Sequence, residues 1–366
     1  MPEINESFAQ LSEQLMLVAG LAYAVAFCAY AWDLVTFNQA VKKGLAGQET
    51  AGKAAGQGAE ARELALSGVG ARSSEGQDLG SGPLDRATRP SSKTHTVSDG
   101  VTAGDSMLYG KERRVVARVA VALTVVAAVV QGFAVLFRGL AAGRVPWGNM
   151  YEFCTTGSFV VAIVFLLVLT RRDLRFLGTF VIGLVLVMIV AASVSFWTPV
   201  GHLVPALQSY WLIIHVSIAV LSSAFFTITF AMSVLQLIQG RREASIALGK
   251  KDKAPVLRLV PNALSLENLS YRINGIAFVG WTLTLMFGAI WAEKAWGRFW
   301  GWDTKEVWTF VIWVVYAGYL HARATKGWTG TRAAWLSIVG YLCVVFNFTI
   351  VNVYFSGLHS YAGVGS

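Results

Sequence analysis

The sequence predicts an all-α integral membrane protein, a bundle of about eight transmembrane helices carrying an external Trp-rich loop. Three observations point there. Of 366 residues, 55% are hydrophobic and only 14% charged, which excludes both a disordered chain and an ordinary soluble enzyme. Apolar stretches of about 20 residues recur along the chain, the length a bilayer core demands of a spanning helix. Between two of them, residues 291–308 crowd five tryptophans into one short segment.

Backbone groups in lipid must be satisfied within the segment, so the apolar stretches are helices. They fall near 15–36, 115–137, 153–170, 174–195, 209–237, 273–293, 306–325 and 333–355. Glu3, Glu6 and Glu13 precede the first, the wrong sign for a cleaved signal peptide, so it is expected to stay as a helix. Of the 30 Lys and Arg, only Arg138, Arg144, Lys294, Arg298 and Lys305 fall on one set of alternate connections. The rest mark the cytoplasmic side, which puts both termini and the Trp-rich loop outside the cell membrane. The net charge of +9 is thus topological and implies no nucleic acid partner. Three regions follow: a helix in 1–37, a linker in 38–114 and a transmembrane domain in 115–366.

Residues 44–108 are rich in Gly, Ala, Ser, Gln, Glu and Thr with no periodic apolar face, so the linker is expected to be disordered. His95 within it reads as solvated. The basic 238–272 connection reads as a plain charged loop in preference to one lying on the anionic lipid leaflet. Cys28, Cys154 and Cys343 lie far apart inside apolar runs, which leaves no disulfide framework and no CxxC or CxxCH motif.

The stretch from Trp291 to Trp308, WAEKAWGRFWGWDTKEVW, carries the most information. One or two tryptophans would be an interfacial belt. Five, with Gly297 and Gly301 among them, make an aromatic platform whose exposure is unfavourable unless a flat ligand covers it. Asp303 and Glu306 have the spacing of a capping box that starts the next helix, which would also fix where the tryptophans point.

His215 lies about two turns into the fifth helix from its outer end, and His359 follows the eighth on the same side. Singly, each reads as a hydrogen-bonded structural residue. Together, two imidazoles on the face of the tryptophan platform are what axial ligation of a haem iron requires. His321 stands 18 residues beyond Asp303, roughly 27 Å along a helix at 1.5 Å per residue, so it cannot serve the same iron. It is either an interfacial His or a ligand at a second haem position, whose other His a partner subunit would supply. His202 is a spare candidate.

These residues carry a resemblance. Trp296-Gly297-Arg298-Phe299-Trp300-Gly301-Trp302-Asp303, continued by Lys305-Glu306, is similar to the WWD motif of the CcsA/ResC family of cytochrome c biogenesis proteins. Asn149-Met150-Tyr151-Glu152, the Leu207–Trp211 run before His215, Tyr319–Arg323 around His321, and Gly357–Tyr361 around His359 extend it over most of 115–366. Thr304 departs from the family's usual Pro. The resemblance implies that His215 and His359 are external axial ligands of haem b and that Trp296, Trp300, Trp302 and Asp303 hold the ring. It implies that His321 marks an intramembrane haem position shared with a ResB-type partner, and that the chain is half of a haem lyase acting on an apocytochrome CxxCH segment and taking part in haem export. A thiol-reducing partner is compatible with this chemistry. Arg298, Lys305 and Arg144 are the basic candidates for the haem propionates. Three other readings stay open: a haem exporter without lyase chemistry, a b-type cytochrome subunit, and an assembly protein that binds no haem.

Overall fold

The computed structural model describes residues 3–67, 102–109, 114–325, 328–355 and 357–359, with backbone alone at 38 and 40–67. Eight long helices alternate in direction: α1 (Glu6–Ser67), α2 (Val115–Ala142), α3 (Met150–Leu169), α4 (Gly178–Ser195), α5 (Tyr210–Ala247), α6 (Ala263–Trp296), α7 (Thr304–Ala324) and α8 (Thr331–Phe348). A short α9 (Ile350–Tyr354) follows α8 after a break at Thr349. Among the described residues, seven helical stretches are long and apolar enough to cross a membrane. The expected eighth, α7, forms at 21 residues but carries Lys305, Glu306, His321 and Arg323, which lower its hydropathy.

Polar residues set the helix ends where the apolar runs meet loops. Asn149, Ser209, Asn262 and Asp303 are N-caps whose side chains accept from backbone N–H groups of α3, α5, α6 and α7. Gly143 and Gly297 close α2 and α6 in the left-handed region, where a Cβ would be strained.

Two apolar clusters meet along α5. One gathers side chains of α1 to α6 around Phe165, Leu177 and Ile228; the other gathers α5 to α8 around Phe226, Trp281 and Tyr316. Between helices there is no hydrophobic driving force in lipid, so buried polar pairs contribute to the register. Gln131 on α2 accepts from Tyr23 of α1 at 2.8 Å and donates to Thr155 O and Ser158 Oγ of α3. Asn274 on α6 links Thr229 of α5 to Ser337 of α8. Glu267 joins Arg323 at the end of α7 to the backbone N–H of Gly330, which opens α8.

Helix α1 runs on to Ser67, into the segment expected as linker. Residues 102–109 are fixed to the bundle: Asp173 N donates to Met107 O at 2.7 Å, Asn262 donates to Asp105, and Met107 is buried. His95 lies outside the described residues. The three cysteines are free, and Cys154 is buried in α3.

Alternation brings the N-terminal ends of α1, α3, α5 and α7 and the C-terminal ends of α2, α4, α6 and α8 to one end of the bundle. The Trp-rich loop and both candidate ligand histidines are there.

Candidate functional site

The loop after α6 is shaped by carboxylates. Asp303 and Glu306 form the capping box expected from their spacing. The Glu306 carboxylate accepts from the N–H of Gly301 at 2.7 Å and of Asp303 at 3.2 Å. It thereby grips the backbone on both sides of Trp302, which is held at a φ of 58°. That conformation is unfavourable by about 1–2 kcal/mol for a non-glycine residue, and the two hydrogen bonds offset it.

Asp303 does more than cap α7. Its second oxygen bonds His359 Nδ1 at 2.8 Å, while Oδ1 accepts from Leu358 N at 3.0 Å. The hydrogen bond from His359 holds the Asp303 carboxyl below the ordinary carboxylate range, against the opposing effect of burial. An Nδ1–H donated to the carboxylate leaves Nε2 with its lone pair outward. His215 shows the same pattern on another element. Its Nδ1 donates to Thr284 O of α6 at 2.9 Å, since a carbonyl only accepts, and Nε2 is again left free. The His215 ring packs against Gly288, where a Cβ would come within 2.7 Å of the imidazole.

Both rings line one cavity of about 1070 Å³, counting the open solvent at its mouth. Its walls are mostly apolar and aromatic, as ligand cavities are. Trp291, 2% exposed, bridges the two imidazoles: its centroid is 5.9 Å from that of His215, nearly parallel, and 5.5 Å from that of His359, edge-on. The Trp291 indole N–H donates to Ala206 O, which fixes the ring. Trp281 is fixed likewise by Thr309 O. Aromatic walls and two imidazoles whose Nδ1 is engaged and whose Nε2 is left over are donors of the kind a metalloporphyrin held as substrate needs.

The tryptophans of the motif divide. Trp300 lines the cavity; Trp296 packs edge-on against Trp291 and His359, behind the wall. Trp302 is 78% exposed, meets Trp300 edge-on and lies off the cavity lining. Sequence reading counted Trp291 in the platform but not as a site residue and did not single out Trp281; both lie inside helix α6, where an aromatic within an apolar run carries no local signal of where it points.

His321 sits exposed on α7, away from the cavity. His202 is exposed in a neighbouring cavity beside Arg144 and Trp147. Arg144 is committed elsewhere: it pairs with the buried Glu152 at 2.7 Å and donates to Gly201 O. Arg298 is exposed and lies against Gly301. Lys305 lines the cavity. No cluster of His, Cys, Asp and Glu able to hold a metal ion by itself occurs among the described residues.

An Asp303→Ala chain is expected to bind a metalloporphyrin about 10- to 100-fold more weakly, the scale of losing a group that orients a ligand His. Asp303→Asn, which keeps a capping oxygen, should lose less. Absorbance titration of the purified protein checks both. The sign with pH follows from the lowered Asp303 carboxyl: the hold on His359 is present above about pH 3.9, the ordinary carboxylate value, and is lost only as pH falls further.

Comparison with known proteins agrees in extent with this site. Residues 147–359 match the family described as Cytochrome C assembly protein. The chain is similar to the protein named "Cytochrome c biogenesis protein CcsA" of Chlamydomonas reinhardtii, 37% identical over 232 residues, 62% of this chain and 63% of that one. The protein of the same name in Synechococcus sp. (strain RCC307) is 34% identical over 273 residues, 69% and 88% of the two chains. The one in Porphyra purpurea is 33% identical over 259 residues, 61% and 81%.

Proposed function

We propose, on the premise that this chain belongs to the Cytochrome C assembly protein family, that it serves cytochrome c biogenesis by holding haem b and presenting it to an apocytochrome CxxCH segment. One observation carries the reading. His215 and His359, from distant parts of the chain, line one aromatic cavity with Nδ1 engaged and Nε2 free.

Haem supplies two vinyl groups, across which the S–H of each cysteine adds: a C–S bond forms, the hydrogen goes to the neighbouring carbon, and nothing is released. The protein therefore needs no nucleophile of its own. Trp291 and Trp300 confine the ring plane, the histidines set its height, and the apolar walls exclude water. Orientation of this kind is worth up to about 7–11 kcal/mol. The histidine of CxxCH would take one axial position, so one protein ligand must yield.

The basic connections at the opposite end of the bundle support a cytoplasmic placement for it and an extracytoplasmic Trp-loop end, in the cell membrane. His321 is exposed on α7, and none of the other described histidines shares its end of the bundle. A second haem position there would need a His from a ResB-type partner, with haem passing outward between the two.

Co-expression with an apocytochrome and a ResB-type protein tests the reading. The expected result is haem that stays on the cytochrome after denaturation, and none when this chain is omitted. Haem that crosses the membrane but remains extractable would identify an exporter instead. A purified chain with a reversible redox couple and quinone reactivity would identify a b-type cytochrome subunit, and one without Soret absorbance an assembly protein.

A further inference from the structure

We infer that Lys305 is the carboxylate anchor of the cavity, selecting a planar ligand that bears an acidic side chain at its rim. The inference rests on the haem reading above and adds the chemistry by which this chain would tell one porphyrin from another.

Lys305 lies on the cavity wall, where its Nζ donates to Asn347 O at 2.8 Å and to Asn352 Oδ1 at 3.0 Å and stands 4.6 Å over the Phe348 ring. Both acceptors are neutral. They aim the ammonium without cancelling its charge, and among the described residues no carboxylate lies within ion-pair distance of it. Asp303, two residues back, is taken up by Lys305 N, Leu358 N and His359. An ammonium has three donors and two are used here. The third is available to a guest.

Helix formation does not explain the residue. Lys305 sits in the first turn of α7, beside the positive end of the helix dipole, where a cation is disfavoured. A half-buried charge without a counter-charge is unfavourable until an anion arrives. The other two basic candidates are spent on Glu152 or turned to solvent, as described above. A carboxylate is the ligand group that accepts from the third Lys305 donor and supplies the missing counter-charge.

The test titrates the purified full chain with haem b and with its dimethyl ester, which keeps iron and ring but lacks both negative charges. Wild type should prefer the acid by about 10- to 100-fold, the scale of a charge-assisted hydrogen bond. Lys305→Met should lose that preference while binding the ester as wild type does, and Lys305→Arg should retain most of it. Equal binding of acid and ester by wild type, or an equal loss for both in Lys305→Met, overturns the anchor and leaves the haem reading standing. Failure of wild type to bind either porphyrin overturns both.

Discussion

Replacing His359 or His215 by Gly is expected to lower haem content by more than the 10- to 100-fold assigned to Asp303, because the substitution removes the donor atom itself and not the group that aims it. Added imidazole should restore content and spectrum, since Gly leaves a hole of the right shape lined by Trp291. The two variants should differ in degree. His359 donates to a carboxylate, which raises the basicity of Nε2, whereas His215 donates to the neutral Thr284 carbonyl. Losing His359 therefore forfeits the stronger donor. Absorption spectra of the purified variants check this, and full haem content with an unchanged spectrum in both would falsify the ligand assignment.

Glu152→Ala should be the most destabilising single change at this end of the bundle, by about 3–5 kcal/mol, the scale of breaking a buried ion pair from one side. Glu152 is fully buried between Arg138 at 3.2 Å and Arg144 at 2.7 Å, and its Oε2 also accepts from Gly148 N. Removing it leaves Arg144 with the Val145 and Gly201 carbonyls alone, and Arg138 with the Thr198 carbonyl, the Tyr151 ring and a Glu13 carboxylate 3.9 Å away. Glu152→Gln, which keeps an acceptor, should cost less. Thermal unfolding in detergent reads the difference, and an unchanged midpoint in the Ala variant would remove Glu152 from any structural role. The loop it fixes carries Trp147 and Asn149 to the cavity wall, so ligand binding should weaken in parallel.

The helices were legible because hydropathy is a local property: seven segments read from the sequence overlap spans of the structure, and the α7 segment overlaps a helix. The capping box was legible for the same reason, since Asp303 and Glu306 are three residues apart. What the sequence did not disclose is set by tertiary packing. Nothing near His215 announces that Thr284, 69 residues later, takes its Nδ1 proton. Motif reading grouped Trp296, Trp300 and Trp302, yet a left-handed residue at 302 turns that side chain outward while Trp291 turns in.

The tie between Asp303 and His359 also bears on the order of synthesis. Residue 359 is translated after every helix that walls the cavity, so the nascent chain passes through insertion with one imidazole in place and the other still to come. If the two histidines hold a ring together, as proposed above, its capture waits until residue 359 has left the ribosome, and a half-made copy lacks the completed pair.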